Sequence, residues 1–71
     1  MTLDKMINNG ITIEGEVEIR KWDSYIDDVL VLFKDDAYEL NTNASYMYEE
    51  ISYMFAYKDD YKAILCFELA A

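Results

Sequence analysis

The stretch Ile11-Thr12-Ile13-Glu14-Gly15-Glu16-Val17-Glu18-Ile19-Arg20-Lys21-Trp22 decides the fold. Ile11, Ile13, Val17 and Ile19 alternate with Thr12, Glu14, Glu16, Glu18 and Arg20, the period-two pattern of a half-buried β-strand. Gly15 falls on the apolar side, where a missing side chain marks a bulge or the closest approach of another element.

Upstream, Thr2 can cap a short helix that places Leu3, Met6 and Ile7 on one face. Asn9-Gly10 ends it, glycine supplying the left-handed backbone that helix ends favour. So short a helix must lie on something else. Downstream, Asp23-Ser24 reads as a turn. Val29 to Phe33 then reads as a second strand, apolar on both faces and therefore expected at the centre of the sheet. Asp35-Asp36 ends it, and Ala37 to Ser45 is a polar loop.

Residues 44–57 carry two patterns. Ala44, Met47, Tyr48, Ile51, Met54 and Phe55 fit a helical stripe, whereas Ile51, Tyr53, Phe55 and Tyr57 fit a strand. A short helix near 43–49 followed by a strand near 51–57 is the reading preferred, with one long helix over 44–57 as the alternative. Lys58-Asp59-Asp60 then turns the chain into a last strand, Tyr61 to Leu69, with Ala63, Leu65, Phe67 and Leu69 inward. The expectation is a single α+β domain over 1–71. It is a small antiparallel sheet of about four strands with the N-terminal helix on one face, in the order α-β-β-(α)-β-β.

Fifteen acidic residues against six basic ones give a formal charge of −9, yet 54% of the 71 residues are hydrophobic and 15% aromatic. Disordered acidic chains lack that content, so this one folds. The charge repels nucleic acid and anionic membranes, so no direct contact with either is expected. The start Met1-Thr2-Leu3-Asp4-Lys5 is not the basic-then-apolar beginning of a signal peptide. No apolar run approaches the roughly 20 residues that cross a bilayer. A single cysteine rules out an internal disulfide; a cytoplasmic protein is expected.

Little in the chain suggests catalysis. Histidine is absent, which removes the commonest general base and transition-metal ligand. Cys66 lies in the apolar run Ala63-Ile64-Leu65-Cys66-Phe67, where a thiol behaves as a small hydrophobe. The pairs Asp27-Asp28, Asp35-Asp36 and Asp59-Asp60 raise the thought of Ca²⁺, but none has EF-hand spacing and all sit where aspartate serves turns. No enzyme, cofactor or metal is expected.

Glu14, Glu16 and Glu18 share one face of the predicted strand, about 6.7 Å apart. Such a row either solvates an outer face and deters aggregation, or imitates a phosphate backbone for a basic groove. In the second case Asp27, Asp28, Asp35, Asp36, Glu49, Glu50, Asp59 and Asp60 extend it, with Trp22 and Tyr25 as anchors; Tyr38, Tyr46 and Tyr48 also fall near turns or in the loop, where such residues either anchor a partner or cover the sheet.

Ile13-Glu14-Gly15-Glu16-Val17-Glu18-Ile19-Arg20-Lys21-Trp22-Asp23 and Glu50-Ile51-Ser52-Tyr53-Met54-Phe55-Ala56 resemble small phage and prophage proteins of Firmicutes, in which a helix precedes an I-x-G-x-V-x-I/V-R-x-W/F-D strand. The likeness covers about half the chain, carries no catalytic residues, and also favours the helix-then-strand reading of 43–57. It implies a mobile-element setting, in which small acidic proteins inhibit host defence, including anti-CRISPR and anti-restriction proteins. The expected partner is a host protein with a basic nucleic-acid-binding groove. The alternative is an accessory protein that pairs with itself, through Leu30, Leu32, Met54 and Ile64, or with a larger phage protein.

Overall fold

The computed structural model describes residues 1–71. Helix α1 (Leu3–Asn8) is capped as expected: the Thr2 hydroxyl accepts from the Lys5 amide at 3.2 Å. Gly10, at φ +86°, ends it in the left-handed conformation. Four strands follow: β1 (Glu16–Asp23), β2 (Asp28–Asp36), β3 (Ile51–Asp59) and β4 (Lys62–Leu69). Two 3₁₀ turns, Ala37–Glu39 and Ser45–Tyr48, lie between β2 and β3, so the helix-then-strand reading of this region holds and the single long helix does not form. No helix is long and apolar enough to cross a membrane.

The strands lie in the order β2-β1-β4-β3. β1–β2 and β3–β4 are antiparallel hairpins, but β1 and β4 pair in parallel. The sheet is therefore mixed and not purely antiparallel. Residues 37–50 cause this: they leave β2 at one end of the sheet and run back across one face before β3 begins. That return brings the second hairpin in with β4 against β1.

Two further expectations are corrected. Strand β1 begins at Glu16, not Ile11: β2 ends opposite it at Asp36, and β4, which starts at Lys62, does not reach as far as Ile11 and Ile13. The Ala37 amide donates to the Gly15 carbonyl at 2.8 Å and closes the ladder there. Ile13 still tucks against the core, and Gly15, at φ +85°, serves a backbone reversal, with no bulge and no crowding from the helix. The second correction concerns β2, which is an edge strand and not the centre. Its apolar residues Leu30, Val31 and Leu32 are exposed, and a bulge opposite Ile19 and Arg20 leaves Leu32 without a counterpart in β1.

One face of the sheet carries the main core. Val17 and Ile19 of β1 and Phe67 and Leu69 of β4 pack beneath Leu3 and Met6 of α1 and Met47 of the second 3₁₀ turn. Phe33, Leu40, Tyr46 and Ile51 close its margins. Extents of 35 × 30 × 18 Å match a sheet with a single covering layer. The opposite face has no backbone over it, and what happens there bears most on function.

Candidate functional site

On the open face, β1 presents Glu16, Glu18, Arg20 and Trp22, and cross-strand register places Ile64, Cys66 and Glu68 of β4 beside them. Tyr57, Phe55 and Tyr53 of β3 lie beyond, and Lys34 of β2 stands opposite Glu18. Ile64 and Cys66 are fully buried here without a second layer. Long neighbouring side chains form the cover: the Arg20 guanidinium lies 4.9 Å over the Phe55 ring and its Nε donates to Glu68 at 3.0 Å.

Glu18 sits at the centre and is only 5% exposed. The Tyr57 hydroxyl donates to its Oε1 at 2.8 Å and the Cys66 thiol to its Oε2 at 3.5 Å. Lys34 Nζ lies 3.8 Å from Oε1 and Arg20 3.9 Å from Oε2. Lys34 also reaches Asp59 at 3.5 Å, and its ammonium is held above its ordinary range, chiefly by Tyr57 and then by Asp59 and Glu18. A buried carboxylate survives because donors and cations meet both of its oxygens. One side chain of β1 thus bonds to residues of all three other strands.

This arrangement breaks up the acidic row expected on β1. Glu18 is buried and paired, Glu16 is half-buried with Lys62 3.8 Å away, and Glu14 precedes the strand altogether. Glu49 bonds to Lys21 at 2.6 Å, and Glu50 to the Met1 ammonium, which holds its carboxyl below the usual range. Trp22, Tyr25, Asp27 and Asp28 gather at the β1–β2 turn, where Trp22 and Tyr25 line a shallow cleft with Lys21, Asp23, Ser24 and Leu30. Tyr25 is 98% exposed, and Asp27 takes the left-handed conformation the turn requires. The expected site residues therefore divide between two ends of the sheet.

The end where β1 begins is the more acidic. Glu16 stands opposite Asp36, and Asp59 opposite Lys62, so Glu14, Asp35, Asp36, Asp59 and Asp60 collect there. Glu39 follows in the adjoining 3₁₀ turn. Three lysines, Lys34, Lys58 and Lys62, share this end, and two of them are already paired. Tyr38 and Tyr61 flank it, each almost wholly exposed. Tyr38 is among the loop tyrosines that the sequence offers as anchors, and Tyr61 is not. Both flank Asp-Asp pairs in sequence, but their convergence depends on the parallel β1–β4 pairing. Tyr46 and Tyr48, by contrast, are used internally: the first packs on Phe33 and accepts from the Asn41 amide, and the second donates to the Thr42 carbonyl.

Burial pushes the Cys66 thiol up to about 11, with Glu18 and Glu68 adding to the rise and Arg20 opposing it. Burial and the bond to Glu18 likewise raise Tyr57. Both groups favour their neutral forms in the fold. The thiol's stabilising contribution is complete below its unfolded value near 9 and is lost as pH rises through the folded value near 11. Urea unfolding at pH 8 and pH 11 should show a loss of about 2–3 kcal/mol attributable to the thiol. Cys66→Ala should remove that part of the pH dependence; an unchanged alkaline loss in the variant would assign it elsewhere. No group of three or more Asp, Glu, Cys or His side chains is placed to hold a metal ion.

Comparison of the chain with family models, curated proteins and solved structures finds no match.

Proposed function

We propose that this chain is a non-catalytic acidic binding protein whose β1-start end enters the basic, nucleic-acid-binding groove of a larger protein and blocks it. In the setting implied by the phage resemblance, the larger protein is a host defence enzyme of CRISPR or restriction type. The observation that carries the reading is the gathering of exposed carboxylates at that end between two fully exposed tyrosines. Carboxylates on a rigid scaffold can meet the lysines and arginines that otherwise hold phosphates. Tyrosines supply the large, rigid contact area that anchors interfaces. The carboxylates of the β1 row contribute less than their spacing promised, because Glu16 and Glu18 are already paired within the fold.

Reversing three exposed, unpaired charges tests this directly. Glu14→Lys, Asp35→Lys and Glu39→Lys together should weaken capture of the groove-bearing partner about a hundredfold, at about 1 kcal/mol per site. Asp28→Lys, at the other end of the sheet, should leave capture unchanged. Equal binding by the triple variant and the parent, measured at the same ionic strength, would reject the acidic end as the contact.

A further inference from the structure

The two edges of the sheet are not equivalent. Along β2 the bulge at Leu32 shifts the alternation, so that Val29 and Val31 face the open side while Phe33, an even number of residues on, faces the core. A regular strand cannot follow such an edge, and bulges of this kind deter pairing. On β3 the alternation runs unbroken from Tyr53 to Asp59, its one irregularity lying between Ile51 and Tyr53. No charged residue or proline occurs from Ile51 to Tyr57. Tyr53 and Met54 are more than half exposed, at 63% and 56%. Long, flat, uncharged edges are templates for another strand.

We propose that this edge pairs antiparallel with β3 of a second copy, joining two sheets into one of eight strands. The charge pattern selects a copy of the chain as occupant. In a protein of charge −9, the neutral run has nothing with which to recognise a charged segment and matches a strand that is neutral over the same length. A two-fold axis through Phe55, the midpoint of β3, makes the match self-complementary. Tyr53 meets Tyr57 on the open face, and the larger Met54 meets the smaller Ala56 on the covered face, each twice. The antiparallel arrangement sends the two acidic ends in opposite directions and keeps them apart.

Sedimentation from about 1 µM to 1 mM should show a monomer passing to a dimer. Added salt should strengthen the dimer by screening repulsion between two acidic subunits, the opposite of its effect on binding to a basic groove. Ala56→Lys changes an exposed side chain and should weaken the dimer at least tenfold while leaving the circular dichroism spectrum unchanged. Under oxidation Phe55→Cys should cross-link rapidly across the axis. Tyr53→Cys should not, because its two copies lie about 13 Å apart. A monomer at every concentration, a dimer indifferent to Ala56→Lys, or equal cross-linking at both positions would overturn the pairing. None of these outcomes alters the charge-reversal test of the acidic end, so the two ideas fail separately.

Discussion

Phe67→Ala is expected to cost about 3–5 kcal/mol, enough to leave most of the chain unfolded at 37 °C. Only 10 of the 71 residues are buried, and Phe67 is the largest of those with no exposure. It stands in an inner strand beside Ile19, under the layer formed by Leu3, Met6 and Met47. Losing its ring leaves a cavity that both layers border. A domain of this size has a total stability of several kcal/mol, so one such cavity consumes most of it. Thermal and urea unfolding followed by near-ultraviolet dichroism would measure the loss. A change below about 1 kcal/mol would show that the core does not close around this ring.

The second large effect is expected at Glu18. Glu18→Ala leaves the Tyr57 hydroxyl and the Cys66 thiol without their acceptor and Arg20 and Lys34 without a shared counter-charge. Removing one member of a buried polar network costs about 2–4 kcal/mol. The cations stay partly in water and keep Glu68 and Asp59 as partners, which holds the figure below that of a fully buried pair. Glu18→Gln keeps an acceptor for Tyr57 and should lose only about 1 kcal/mol. Pairing each change with Tyr57→Phe in a double-mutant cycle isolates the bond between them. Additive losses would mean that Glu18 and Tyr57 act independently. The same geometry makes charge reversal at Glu18 a perturbation of folding, and therefore an unsuitable probe of partner binding.

Much of the fold could be read from local pattern. The cap at Thr2, the stop at Gly10, the end of β2 at Asp35-Asp36, and the short turn before β3 all depend on residues close together in sequence. What escaped reading was long-range. Apolar residues on both faces of β2 suggested a central strand, yet position in the sheet was fixed by the route of residues 37–50. Alternation at Ile11 and Ile13 suggested strand, but a strand also needs neighbours for its backbone, and none reaches that far. The candidate site suffered in the same way. Glu14, Glu16 and Glu18 were legible as carboxylates at period two, whereas the cations and donors facing Glu16 and Glu18 come from Lys34, Tyr57, Lys62 and Cys66, each distant in sequence. The expected apolar dimer surface also dissolves: Ile64 is buried, and Met54 lies on the edge strand opposite the one that carries Leu30 and Leu32.

We propose that the acidic end occupies a site otherwise used by nucleic acid. The most direct test is capture of the tagged protein from a Firmicutes lysate, followed by elution with duplex DNA over a range of salt. Release of a nucleic-acid enzyme by DNA at low salt is expected, with progressive release by salt alone and poor capture by the Glu14→Lys, Asp35→Lys, Glu39→Lys variant. A captured protein that neither DNA nor salt displaces, and that the variant holds equally well, would contradict it.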